Sequence, residues 1–308
     1  MASPSPNEPP KVGLPPVQPP SGRFIVQLFV VPGIIILVVV LIVLGLSYLG
    51  KREREPAYFL GQLDSDNMEI RRRGMHELAQ ILKRSEPAAL RWKTDAAFAL
   101  DLAERLNTAF KDLVSQEKTI GEQIAKSTDP DKHLLWRKHL RSQRDHISFL
   151  ASALGDFHVP VGAPLLCAIL KHDKSDDVKG NTLQRRKALW SLMNMGENIK
   201  GFAKLPAPQR QQVLQVLKAE GASSFARAGW ARTAIYYLDP ALLPKDQQED
   251  IVKVDETLVA AAKAEDRFLR ALVAMAFNFW DGKDAEATLL MLTADTGGGT
   301  EIRVEEND

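Results

Sequence analysis

The residues of this 308-residue chain that could do chemistry are few: six histidines, one cysteine and some paired carboxylates. His133, His139 and His146 fall on one stretch of helical character. Only His139 and His146, seven apart, share a face, and two turns separate them. Histidine pairs that hold one metal from a helix sit at i, i+3 or i+4, as in HExxH, so no metal site is expected. Cys167 lies inside Leu165-Leu-Cys-Ala-Ile-Leu170 and reads as a small buried hydrophobe. Asp64 and Asp66, like Asp129 and Asp131, have the spacing of helix caps rather than of a catalytic pair. Gly297-Gly-Gly299 follows no strand and opens no helix, so it is not a phosphate loop. Arg71–Arg73 and Arg185–Lys187 read as solvated helix edges. No catalytic residue, cofactor-binding residue or metal ligand is therefore assigned. The chain is expected not to be an enzyme, the alternative being an enzyme whose site is dispersed.

What must position these residues is clearest at the amino end. Phe24–Leu49 reads FIVQLFVVPGIIILVVVLIVLGLSYL and has no strongly polar residue from Leu28 to Leu46. At ~1.5 Å per residue this stretch is about 39 Å long, more than the ~30 Å bilayer core. It is too long for the apolar core of a signal peptide, and Tyr48-Leu49-Gly50-Lys51 is a poor cleavage site. Phe24–Leu49 is thus expected to meet the lipid bilayer as a single-pass anchor. Pro32 leaves the carbonyl of Leu28 without a donor, so Pro32-Gly33 should kink the helix or mark its effective start. Lys51, Arg52 and Arg54 on the carboxyl side, against Lys11 and Arg23 on the other, place the carboxyl domain in the cytoplasm.

Composition bounds the rest. Beyond Arg23, 38 basic residues balance 38 acidic ones. A neutral domain lacks the basic footprint of a general nucleic-acid binder, and no nucleic-acid partner is expected. A single cysteine rules out an intrachain disulfide. Residues 1–22 hold eight of the eighteen prolines and should be a disordered polyproline-like tail. Residues 23–50 form the transmembrane helix, 51–295 a helical domain, and 296–308 a flexible tail.

From Pro56 the apolar pattern is helical almost throughout, with no convincing strand. Helices are expected over roughly 56–63, 67–84, 95–125, 131–155, 161–171, 183–196, 207–219, 222–238, 246–263, 265–280 and 284–293. An eight-residue box recurs: RRRGMHEL from Arg71, ISFLASAL from Ile147, RRKALWSL from Arg185, ARTAIYYL from Ala231 and FLRALVAM from Phe268. The starts lie 76, 38, 46 and 37 apart, and the first gap is twice 38. Small residues at the fourth place, Gly74, Ala188, Ala234 and Ala271, would let paired helices approach closely. Trp190, Trp230, Tyr236, Tyr237 and Trp280 are expected in the core.

On these residues the chain resembles HEAT-repeat proteins. Ile70-Arg71-x-x-Gly74-x-x-x-Leu78 is similar to the second-helix signature of that family, and so is Arg185-x-x-Ala188-Leu189-x-x-Leu192. Phe149–Gly155 followed by Val161–Leu166 resembles one unit running into the next. The Asp that the family places six residues before the Arg falls on Ser65 in the first unit. In the second it falls on Lys179, within an apparent insertion, Lys174–Thr182. The resemblance implies an all-α fold: a HEAT-like α-solenoid of antiparallel helix pairs over about Pro56–Asp295. HEAT proteins that are di-iron hydroxylases carry several His-Glu pairs, whereas this chain has one, His76-Glu77.

Residues 95–154 fill the double-length gap and are expected to form one long helical hairpin. Ala99, Ala103, Leu106, Phe110, Leu113, Glu117, Ile120 and Ile124 alternate by four and three. After the turn, Trp136, Leu140, Gln143, Ile147, Leu150 and Leu154 do the same, the spacing of a packed seam. The facing pairs place Glu117 and Gln143 in one polar layer, within hydrogen-bonding reach, on an arm that projects from the repeats. The expected function is a membrane-anchored scaffold that binds an unknown protein partner on the solenoid or the long hairpin. A self-associating structural membrane protein is the further alternative.

Overall fold

The computed structural model describes residues 22–50, 55–84, 87–172, 178–223, 226–264, 266–280, 282 and 284–294. Most of the two expected tails, together with Lys51–Arg54 and Gly297–Gly299, lies outside the described residues. No strand occurs among those described. The chain divides into two units, Met1–Glu55 and Pro56–Asp308.

The first unit is one apolar helical stretch: α1 (Gly22–Ile25), a π-helical turn over Val26–Val30, and α2 (Val31–Gly50). The irregularity expected at Pro32-Gly33 takes the form of that π turn, immediately ahead of the residue with no N–H to donate. Val26–Gly45 is long and apolar enough to cross a membrane. Its described large apolar side chains are exposed, from 45% at Val40 to 64% at Ile36.

The second unit is built from helices with recognisable starts. α3 (Pro56–Leu63) leads to α4 (Met68–Lys83), where the side chain of Asn67, not Asp64 or Asp66, caps the N-terminus by accepting the N–H of Glu69. α5 (Pro87–Lys93) places its proline in the first turn, where no N–H is needed. Asp95 caps α6 (Ala96–Lys126), and Asp129 caps α7 (Pro130–Gly155) by accepting from Asp131 and Lys132. α8 (Ala163–Lys171), α9 (Val178–Ala203), α10 (Ala207–Gly221) and α11 (Ala226–Leu238) follow. α9 begins inside the insertion expected at Lys174–Thr182 and outruns the expected 183–196 at both ends. The single helix expected over 246–263 is instead α12 (Lys245–Gln248) and α13 (Val254–Ala261). Between them Ile251 turns into the core, and the Val254 N–H goes to the Tyr237 hydroxyl at 2.8 Å. Asp266 caps α14 (Arg267–Ala276), and α15 (Ala285–Ala294) ends the described chain.

Among the described residues five helix pairs are closed in one way. A cationic or imidazole side chain of the second helix reaches back to a carbonyl at the end of the first or in the loop just beyond it. Arg71 donates twice to the Ser65 carbonyl, at 3.1 and 2.9 Å. Arg185 donates to Leu170 at 2.9 Å, Arg232 to Gly221 at 2.9 Å and Arg270 to Ala264 at 2.6 Å. In the α6/α7 pair His133 Nε2 takes the role toward Ser127 at 2.9 Å, which requires the proton on Nε2 because a carbonyl only accepts. The last carbonyls of a helix lack partners and carry the negative end of its dipole. Arg71 and Arg185 are therefore closing residues and not the solvated edges expected of them.

The packing order departs from the chain order. α4 packs on α7, α7 on α9 and α9 on α14, while α3 packs on α6, α6 on α8 and α8 on α13. The α10/α11 pair lies against α6 and α8, with α11 also touching α9. Gly74, Ala188 and Ala234 are buried as expected, but Ala271 is exposed. Trp230 and Trp280 are in the core, at 7% and 4% exposure, whereas Trp190 is 49% exposed and not a core residue.

The hairpin forms with its turn at 127–129. Leu106, Leu113, Ile147, Leu150 and Leu154 are buried in or beside its seam. The hairpin does not project as a whole. Its base is embedded: Arg105 forks the carboxylate of Asp64, and Arg227 of α11 reaches Asp101 and Glu104. Beyond Glu117, from 118 to 143, only Ile120 and Leu140 are buried. This outer part is a two-helix ribbon about 13 Å long on its α6 side.

Candidate functional site

The sequence candidates for chemistry are scattered by the fold. His133 stacks on Trp136, His139 Nε2 lies 2.8 Å from Gln116 Oε1 and 3.2 Å from Gln143 Nε2 and can bond one of them in a given tautomer, and His146 sits near Arg71 and Asp64 at the base. His76 bonds Gln80 on α4. Among the described residues no group of three or more His, Cys, Asp or Glu could hold a metal ion. Cys167 is buried, and burial pushes its thiol up to about 11, which removes the thiolate needed of a nucleophile. A cleft of about 470 Å³ between α9, α10 and α11 is lined by Ile199, Phe202, Arg210, Leu214, Tyr237 and Leu238, among others. Burial holds the Tyr237 phenol protonated, and its oxygen is already accepting from Val254.

The polar layer of the arm is present with different partners. The Glu117 carboxylate accepts from Arg144 at 2.9 Å and meets His172 Nε2 at 3.1 Å. All three side chains are largely buried, 9% to 14% exposed. His172 follows the last turn of α8 and abuts Phe110 edge-on, with 5.4 Å between ring centroids. Gln143 turns instead to His139 at 3.2 Å and leaves its Oε1 without a partner. The expected Glu117–Gln143 hydrogen bond is thus replaced by an ion pair one residue along. A charged guanidinium outcompetes an amide for a buried carboxylate, and the third partner comes from a helix outside the hairpin. This junction ties the root of the outer arm to α8 and is structural.

Two other histidines bear on stability. His146 and His158 are each held down to about 4, chiefly by burial, with Arg71 and Lys93 respectively adding to the effect. Both have a buried Nδ1 without a protein partner. The folded state therefore keeps them neutral, while the unfolded chain binds protons as pH falls below about 6.5. Stability should be flat above that point and decline toward pH 4, by on the order of 1–2 kcal/mol per histidine at about pH 5. Asp156, raised by burial, works in the opposite sense at the acid end. A lower Tm at about pH 5 than at about pH 7, reduced in a His146→Gln/His158→Gln variant, is the expected result. A melting temperature independent of pH over that window would show that the rings are protonated in the fold.

The surface best suited to function is on α9 and α14. The two helices run side by side and parallel. Near one end Arg186 donates to both oxygens of Asp266 at 2.8 and 2.7 Å and stacks over the Phe268 ring at 4.7 Å. Burial would raise the Asp266 carboxyl, but the Arg186 fork outweighs it and holds the group below its usual range. Near the other end Trp280 Nε1 donates to the Leu192 carbonyl at 2.7 Å, and a Cβ on Gly196 would lie 2.7 Å from Phe279 and Trp280. Around these fixed points each helix turns apolar side chains outward. Leu183 and Trp190 on α9 and Phe268 and Met275 on α14 are 54%, 49%, 45% and 48% exposed. Ala271 and Lys187 are exposed beside them. Sequence periodicity assigns Trp190 to an apolar stripe but does not say that no helix covers it. No protein-family model matches the chain, and no curated protein matches its sequence.

Proposed function

We propose that the chain is a single-pass membrane protein that presents a HEAT-like repeat domain in the cytoplasm as a protein-docking scaffold. The observation that carries this reading is the apolar strip of Trp190, Phe268 and Met275 on two adjoining helices. Contiguous exposed apolar surface rimmed by polar groups is the mark of an interaction site, and a half-exposed tryptophan is a favoured anchor. The repeated closure of helix pairs by Arg71, Arg185, Arg232 and Arg270 supports a repeat architecture, in which stacked pairs offer long surfaces to partners. Val26–Gly45 supplies the anchor, and the basic run Lys51, Arg52 and Arg54 supports the cytoplasmic side.

A reporter fused after Asp308 should behave as cytoplasmic, and periplasmic or luminal activity would refute the orientation. A photoreactive phenylalanine analogue at position 190, activated in intact membranes, should yield one dominant adduct with a different protein. Trp190→Ser should abolish capture by a label at a neighbouring exposed site while leaving Tm nearly unchanged, since solvent-facing substitutions shift stability by about 0.5 kcal/mol or less. Adducts with a second copy alone would replace the scaffold by self-association, and their absence would remove its support.

A further inference from the structure

The outer arm carries a surface that protein docking on α9 and α14 leaves unused. Among the described residues after Glu55, Leu134 is the most exposed large apolar side chain, at 67%, and its neighbour Leu135 is 65% exposed. Leu134, Arg137, Lys138 and Arg141 stand at i, i+3, i+4 and i+7, so they share one face of α7, opposite the seam residues Trp136 and Leu140. All four are exposed. Between Lys118 and Arg141 there are six Lys and Arg against three Asp and Glu, a net +3 on an arm of a chain whose total is +1. One of those acids, Asp129, is occupied with capping α7 and with Lys132 at 3.6 Å. From Lys132 to Arg141 no acid interrupts the basic residues.

We infer that the tip of the arm is a second membrane contact, laying the Leu134–Arg141 face of α7 on an anionic bilayer surface. Leucines beside cations on an exposed helix suit the bilayer interface. The apolar chains enter the acyl boundary, while Lys and Arg stems extend to the headgroups. Each Lys or Arg held near an anionic surface adds to the attraction, and this face carries three, Arg137, Lys138 and Arg141. The chain also holds a helix long enough to span a bilayer, and five residues, 51–55, separate its end from Pro56. On the anchored reading, from which this inference takes its lipid surface, the bilayer is present at high effective concentration. A contact too weak to recruit a free domain can then hold the arm down. The interaction orients a tethered domain instead of recruiting it.

The test uses the full chain in nanodiscs of phosphatidylcholine, with or without phosphatidylserine. Thr128→Cys, in the exposed arm turn, carries an environment-sensitive fluorophore. The native Cys167 is buried and its thiol is pushed up to about 11, so it will not compete for the label. Doxyl-lipids should quench the probe strongly in anionic discs and weakly in neutral ones. Arg137→Glu/Lys138→Glu/Arg141→Glu should weaken that docking equilibrium roughly a hundredfold, and Leu134→Ser/Leu135→Ser should abolish the quenching. All five positions are exposed, so circular dichroism and Tm should be unchanged. No quenching in anionic discs, or equal quenching in both, would overturn the proposal. Unquenched probe together with salt-sensitive photocrosslinks from the tip to an acidic protein would assign the surface to that partner. Co-elution with the discs tests the anchor separately. Were the chain not to incorporate, the anchor would be refuted, and titrating the same labelled chain with anionic doxyl-lipid vesicles would still decide the tip.

Discussion

Gly155→Ala is expected to lower the melting temperature, although alanine is the better helix former. Gly155 is the last residue of α7, and it has no positive φ, so its backbone conformation does not require glycine. What requires it is the neighbour. A Cβ at this position would stand 2.8 Å from the Ser191 carbonyl oxygen and 2.9 Å from Ser191 Cα. These are backbone atoms in the middle of α9, and no rotamer change moves them aside. The Gly155 carbonyl is also held from the same helix, accepting from Asn198 Nδ2 at 2.9 Å. Relief therefore requires α7 and α9 to separate along one of the main interfaces of the domain. Overpacking of this kind costs about 3 kcal/mol at its upper end, against a helix-propensity gain of at most ~1 kcal/mol. The net loss of about 2 kcal/mol corresponds to roughly 4–8 °C in Tm for a domain of this size. Gly121→Ala is the matched control. It lies inside α6, is exposed and has nothing within 4 Å of its would-be Cβ, so the propensity term acts alone and Tm should rise. Equal shifts in the two variants would show that α7 and α9 are not in this contact.

The contrast between these glycines also marks what could be read before the fold. Single-helix properties were legible. The ranges 56–63 and 95–125 match α3 and α6 to within a residue, and Asp129 caps α7 as its spacing implied, because caps and apolar periods act within a few residues. The seam of the long hairpin was legible for the same reason: a seven-residue repeat on each side of a short turn fixes which faces meet. Missed features depended on a third element. α5 is seven residues long, too short for a period, and falls in the gap between the expected helices 67–84 and 95–125. The split between α12 and α13 follows from the Tyr237 hydroxyl taking the Val254 N–H. Trp190 and Ala271 have the same apolar periodicity as Ala188 and Ala234. They differ only in that no described helix covers the outer faces of α9 and α14. The place of α10 and α11 against α6 and α8 was likewise invisible, since an apolar stripe shows that a helix must be covered without saying by what. The candidate surfaces therefore came from exposure and not from motifs.

Glu117→Ala is expected to destabilise the domain by about 3 kcal/mol, at the low end for removing one member of a buried ion pair, or roughly 6–12 °C in Tm. The seam spacing alone places this carboxylate in a layer with Gln143, where an alanine would cost little more than a neutral hydrogen bond. The observed partners change that expectation. Arg144 is 13% exposed and His172 14%, so loss of the carboxylate leaves a guanidinium in a site that solvent reaches poorly. Most of the cost is the desolvated cation left behind, not the attraction lost. That distinction sets two further outcomes. Glu117→Gln keeps the shape and an acceptor but not the charge, and should fall between wild type and Glu117→Ala. Glu117→Leu/Arg144→Met removes both charges from the same space and should recover most of the loss, as apolar replacements of buried pairs do. If the double variant is as unstable as Glu117→Ala, the pair contributes net attraction and the desolvation argument is wrong. If Glu117→Ala melts within about 1 °C of wild type, less than the few tenths of a kcal/mol typical of a surface substitution, the junction is open to water. The His172 contact gives the same variants a second readout. His172 joins the end of α8 to the arm at the level of Glu117, beyond which only Ile120 and Leu140 are buried among the described residues 118–143. Breaking the junction should therefore increase hydrogen exchange in 118–143 more than in the base of the hairpin, which Arg105 and Arg227 still hold.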